Sequence, residues 1–182
     1  MPDSASGPDE RRRATAAAHG AIRDLAADRG AEFTTRPAFP GSDITIRDLD
    51  SLTGARAARD IELAARRAAR DYIRAAREAG HSWDQIGHPL GVAPNADADQ
   101  AGLTVAEAAY TYAAGSPYTD TAVRYGRSFV WRCRSCDQAI SDRGQVAGPA
   151  DDEAGHGEGC PRLADEVAEW NAGLDADLEA EP

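Results

Sequence analysis

The 182-residue chain carries 31 acidic and 20 basic residues, a formal net charge of −11, and every basic residue is arginine. With 42% hydrophobic and 28% charged residues, it has the composition of a folded protein rather than a disordered one. No apolar run approaches the roughly 20 residues that a membrane span needs, and three cysteines suit a reducing compartment and exclude a disulfide framework. No export signal is legible, so a cytoplasmic location is expected. The charge is unevenly placed: residues 151–182 hold eleven acids against the single Arg162, which leaves the body before them nearly neutral. A nucleic-acid partner, against which −11 alone would speak, therefore stays open.

Residues 1–10, rich in Pro, Ser, Gly and acid, read as a disordered tail, and residues 11–115 as a helical domain. An Ala-rich helix is expected over 11–29, stopped by Gly30. Pro37, Pro40 and Gly41 make 31–50 a connector with room for one short strand at 44–47. A long helix is expected from Thr53 to Ala79, ended by Gly80. At 100° per residue, Ile61, Ala65, Ala68, Tyr72 and Ala76 fall on one face, expected to be buried. Arg56, Arg59, Arg66, Arg67, Arg70, Arg74 and Arg77 lie opposite, in a stripe about 30 Å long. That stripe is either a solvated face braced by the i,i+4 pairs Arg56/Asp60, Glu62/Arg66, Arg67/Asp71 and Arg74/Glu78, or a surface for an anionic partner.

Ser82 with Gln85 forms a capping box, and Trp83, Ile86 and Leu90 recur at helical spacing. The long helix, the Ser82-Trp83-x-x-Ile86-Gly87 helix and the Leu90-Gly91-Val92 turn resemble the first two elements of bacterial helix-turn-helix domains in sigma-factor-like and homeodomain-like regulators. The resemblance covers about 51–92 and implies a helix-turn-helix-like core over 51–114. It departs where bases would be read. A reading helix begins within about four residues of the turn, whereas 93–102 intervene here, and Pro89 shortens the second helix. The next helix, from the Thr104/Glu107 capping box to Ala114, offers Glu107, Tyr110 and Tyr112 rather than the Arg, Lys, Asn and Gln that read base edges. The other reading is that Val105, Ala109 and Tyr112 complete a helical core.

Residues 116–127 read as a linker, 128–174 as a second domain and 175–182 as an acidic tail. Phe129, Trp131 and Cys133 alternate as one face of a strand. Cys133-x2-Cys136 and, nineteen residues later, His156-x3-Cys160 bring four soft ligands toward one ion. Pro161 stands at a first helical position, with Leu163, Val167, Trp170 and Leu174 as the apolar stripe behind it. The thiolate of Cys160, just before that helix, is expected to be favoured by the helix dipole. Residues 129–150 hold too few large apolar side chains to fold without a staple. The pattern resembles zinc-ribbon or treble-clef zinc fingers, which implies structural Zn2+ on Cys133, Cys136, His156 and Cys160. Asp137 replaces the usual Gly after the second Cys, a substitution that Asp tolerates moderately well. His156-x-Glu158 with Cys-x2-Cys has the letters of the zinc nucleobase deaminases, but in reversed order, and Cys160 closes the position a catalytic water would need. A redox Cys-x2-Cys would need a βαβ pattern that is missing.

The combination is similar to small uncharacterised actinobacterial proteins over about 51–172, a resemblance that implies no particular activity. The expected fold is mainly α, a helix-turn-helix-like helical domain followed by a small α+β zinc-finger domain. The expected function is that of a non-enzymatic regulator. It would bind nucleic acid, DNA above all, or a protein of the transcription machinery through Arg59, Arg66, Arg70, Arg77, Arg124, Arg127, Arg132 and Arg134. The alternative is a protein-protein interaction module with Tyr110, Tyr118, Tyr125 and Trp131 as contacts, and a zinc-dependent hydrolase or deaminase ranks third. The acidic end either keeps the chain soluble or lies over the arginine stripe.

Overall fold

The computed structural model describes residues 7–91, 104–115, 128–145 and 147–180, the last six by backbone alone. Arg124, Arg127, Tyr118, Tyr125, the expected linker 116–127 and the whole of the 93–102 insertion lie outside the described residues. The fold is mainly helical with two small antiparallel sheets, and no described helix is long and apolar enough to cross a membrane. Contacts divide the chain into two units between Ala68 and Ala69.

In the first unit, α1 runs from Pro8 to Asp28. It begins inside the stretch expected to be loose, because Pro8 at its start and Asp9 and Glu10 in its first turn suit a helix N-terminus. Gly30 follows with φ 77°. Two strands, β1 (Phe33–Pro37) and β2 (Thr45–Leu49), pair antiparallel with Phe33 opposite Leu49 and Pro37 opposite Thr45. The expected connector is thus a hairpin, favoured by β-branched Thr34, Thr35, Thr45 and Ile46. The helix α2 (Ser51–Glu78) contributes to both units. Asp50 caps it, its Oδ2 accepting hydrogen bonds from the Thr53 backbone N–H at 2.9 Å and the Thr53 hydroxyl at 3.0 Å.

In the second unit, the end of α2 is followed by α3 (Trp83–Leu90) and α4 (Val105–Ala114). Both expected capping boxes are formed, and Gly91 and Gly115 close their helices in the left-handed conformation. Then come β3 (Phe129–Arg132), β4 (Ala139–Asp142), a single turn α5 (Pro149–Asp152), β5 (Glu153–Ala154) and α6 (Pro161–Ala180). The sheet order is β3-β4-β5, with Trp131 opposite Ile140 and Asp142 opposite Glu153. Phe129 and Trp131 turn inward as the alternation requires. At Gly87 a Cβ would lie 2.5 Å from Val105 Cγ1 and 2.8 Å from the Val105 carbonyl oxygen, so only glycine admits this approach of α3 and α4.

Four expectations are corrected here. The first concerns the separation of helices (11–115) from a metal domain (128–174): one core joins Ile73, Trp83, Ile86, Ala109 and Tyr110 to Phe129, Trp131, Ile140, Cys133 and Cys160. The second is the buried face of α2. Ala65 and Ala68 are exposed and Tyr72 is 79% exposed, while Ile73 and Arg77, from the arginine side, are buried. Third, of the two readings left open for α4 the core helix fits, with Ala106, Ala108, Ala109, Tyr110 and Ala113 buried, but Tyr112, expected in that core, is 42% exposed. Fourth, the expected tail does not end the helix at 174: α6 runs past Gly173 and continues through Ala180.

Candidate metal centre

The knuckle Cys133–Gln138 is built by backbone hydrogen bonds from Asp137 N–H to the Cys133 carbonyl at 2.8 Å and from Cys133 N–H to the Gln138 carbonyl at 2.9 Å. Asp137 takes φ 55°, the left-handed conformation the sequence required of it. Its carbonyl and carboxylate are held by Arg132 Nη1 at 2.7 and 2.9 Å. On the far side, Cys160 precedes α6 and its carbonyl accepts from Ala164 N–H at 3.1 Å, so Pro161 opens the helix as expected.

These two pieces bring the ligand atoms of Cys133, Cys136, His156 and Cys160 within 4.8 Å of one another. Cys133 Sγ lies 3.8 Å from Cys160 Sγ, and Cys136 Sγ lies 3.7 Å from His156 Nδ1. A tetrahedral ion with metal–sulfur bonds of about 2.3 Å sets sulfur–sulfur edges of about 3.8 Å. The cluster therefore has the size such an ion needs, and the four residues could hold one. Backbone N–H groups of Gly157 and then Gln138 lower the Cys136 thiol to about 6, against the effect of burial. The Cys160 thiol is instead raised, chiefly by burial, with the Leu163 N–H at the helix start opposing it. Desolvation thus outweighs the helix start at Cys160, contrary to expectation, and a bound cation would reverse that balance.

Behind the ligands lies a buried polar network. His156 Nε2 meets Glu153 Oε2 at 3.0 Å, with the two side chains only 1% and 5% exposed. Arg77, from α2, bonds Glu153 through Nη2, Asp142 through Nε at 3.0 Å and the His81 carbonyl through Nη1 at 2.7 Å. Asp142 also accepts from the indole N–H of Trp83 and of Trp131, at 3.1 and 2.9 Å, and from Gly144 N–H at 2.9 Å. Arg162 stacks over Trp131 at 4.1 Å and bonds Glu166 at 3.0 Å. Burial raises the Glu153 carboxyl to about 7 while the Arg77 guanidinium acts the other way.

The arginines chosen from the sequence are scattered among separate roles. Arg77 is 3% exposed, and this corrects its assignment to an anion-binding surface: its charge is consumed by two buried carboxylates. Arg70 reaches over Gly115 at the end of α4, where a Cβ would lie 2.3 Å from its Nη2. Arg74 donates to the Val130 carbonyl at 3.1 Å and to Asp71 at 2.8 Å. Arg59 and Arg66 share Glu62, at 2.7 and 2.8 Å; Arg132 is engaged by Asp137, and Arg134 is exposed. The proposed contact residues Tyr110 and Trp131 are corrected as well, being 6% and 1% exposed. What the sequence reading missed are Asp142, Glu153 and Arg77 as a unit. One signal for Asp142 existed, since it stands in phase with Ile140 on the inward face of β4.

No protein-family model matches the chain, and comparison with curated proteins and with solved structures finds no match.

Proposed function

We propose that residues 69–180 form a structural-zinc binding module without enzymatic activity, and that its partner is a protein. Zn2+ is the ion that three thiolates and one imidazole in a tetrahedral arrangement favour. Four protein ligands fill that coordination shell, and no position is left for the water that hydrolytic chemistry would need. The observation that carries the choice of partner is the burial of Ala106, Ala108, Ala109, Tyr110 and Ala113 on α4, the helix that the helix-turn-helix resemblance would make the reading helix. Arg77 is lost to the same core. Large side chains that remain exposed in this unit, Tyr72, Tyr112, Val130 and Trp170, are of the kind that anchor protein interfaces.

A nucleic-acid reading keeps some support from the exposed arginines Arg59, Arg66 and Arg134, on the same helix-turn-helix and zinc-finger resemblances. Two measurements separate these readings. Metal analysis of the purified protein should give one equivalent of zinc, and cobalt substitution should give a four-coordinate spectrum; an open five-coordinate spectrum would revive the enzyme. Retention of DNA or RNA at low salt, lost steeply as salt rises, would favour nucleic acid, whereas nuclease-insensitive co-purification of a protein supports the module proposed here.

A further inference from the structure

We propose that Glu153 is the positioning residue of the metal centre: it fixes the imidazole of His156 in the orientation and tautomer that present Nδ1 to the ion. This rests on the structural-zinc reading above. A neutral imidazole has one N–H and one lone pair, and the partner of one nitrogen decides the role of the other. His156 turns Nδ1 toward Cys136 Sγ at 3.7 Å and Nε2 toward Glu153 Oε2 at 3.0 Å. Ionised against the Arg77 guanidinium, the Glu153 carboxylate accepts only, and in that state Nε2 carries the proton and Nδ1 the lone pair.

Glu153 can do this because it is itself immobilised. Its other oxygen, Oε1, is taken by Arg77 Nη2, with Arg162 Nη2 at 3.9 Å. Arg77 is held in turn by Asp142 and the His81 carbonyl. The short strand β5 places Glu153 opposite Asp142 on β4, so the two acids lie side by side with one guanidinium between them. Trp131 closes the other side of the ring, edge to face at 5.8 Å between centroids. Glu158 lies closer still to His156 in sequence, but it is exposed and has no part in this arrangement.

That pair of acids supplies the test, made on the full zinc-loaded chain. Zinc affinity, measured by competition with a chromogenic chelator, should fall about 10- to 100-fold for Glu153→Ala and less than about 3-fold for Glu158→Ala, which removes an exposed, solvent-screened charge two residues from the same histidine. The cobalt form of Glu153→Ala should also show a displaced visible spectrum. Should that variant fail to fold, long-range proton–nitrogen NMR of the wild-type zinc protein decides: Nδ1 bound to metal and a slowly exchanging proton on Nε2 support the proposal. Equal loss of affinity in the two variants, or metal on Nε2, overturns it. Absence of bound zinc in the wild type would instead sink the structural-zinc reading and this inference with it.

Discussion

Replacing Arg77 by alanine is the sharpest perturbation of this fold, because the sequence and the structure assign that residue opposite fates. As part of a solvated stripe, its loss would cost within about 0.5 kcal/mol, the ordinary effect of a surface substitution. In the structure it leaves Asp142 and Glu153, side chains 0% and 5% exposed, without their cation. Breaking a buried ion pair from one side costs about 3–5 kcal/mol. Two features place the expectation at the lower end. Asp142 keeps its bonds from Trp83, Trp131 and Gly144, and Arg162 remains 3.9 Å from Glu153. A loss of about 3 kcal/mol, with a guanidinium m value of about 3 kcal/mol/M, lowers the unfolding midpoint by about 1 M. The assay is denaturation of the zinc-saturated protein followed by tryptophan fluorescence, since Trp83 and Trp131 both bond Asp142. Arg59→Ala, whose partner Glu62 is exposed, is the control. An Arg77→Ala midpoint equal to that of Arg59→Ala would refute the reasoning.

Other consequences are more local. Gly87→Ala should destabilise the second unit by about 1–3 kcal/mol through overpacking against Val105, and unchanged thermal unfolding would contradict the close approach of α3 and α4. Ser82→Ala should cost about 1 kcal/mol by removing the cap on α3, read from the same unfolding curves, while Ser82→Asp should retain most of it. Tyr110, raised to about 12 mainly by burial, should ionise well above the ordinary tyrosine value as followed by tyrosinate absorbance. Because its folded value lies above the ordinary one of about 10, stability is full below pH 10 and falls as pH climbs toward 12; an early, fully reversible titration of all tyrosines in the folded protein would argue against its burial. Chelation should remove the near-ultraviolet circular dichroism of Trp131, which packs on His156, and readdition of zinc should restore it.

Local rules were the legible part of the fold. The boxes Ser82/Gln85 and Thr104/Glu107, the stops at Gly30, Gly80, Gly91 and Gly115, the inward alternation of Phe129 and Trp131, and the two ligand pairs Cys133/Cys136 and His156/Cys160 all depend on neighbours within a few residues. The same kind of reasoning failed on α2. Helical projection puts Ile73 at the edge of the arginine arc, and the larger apolar set on the other side took precedence. Which face is buried was decided by partners 65 and 76 residues away, Asp142 and Glu153, and no periodicity within one helix carries that information. The hairpin at 33–49 was missed for a different reason: Pro37 and Gly41, read as breakers, stand at the end of β1 and in the turn.

The buried arginine also changes what the metal centre is attached to. A small finger with few large apolar residues needs its ion as a staple, and read alone, residues 128–174 would be such a finger. Here the polar chain from His156 through Glu153 and Arg77 to Asp142 ends on the indole of Trp83, in α3, and on the last turns of α2. Each member is buried and engaged, so displacing one leaves the next unsatisfied in a medium where that is costly. The apolar contacts follow the same route: Trp83 meets Phe129 at 5.5 Å and Tyr110 at 5.3 Å between ring centroids. Helices and metal ligands therefore share both an apolar core and a charge network. An ion bound to the native arrangement and not to the unfolded chain would stabilise both together, and would then be a staple for α3 and α4 as much as for the knuckle that carries Cys133 and Cys136.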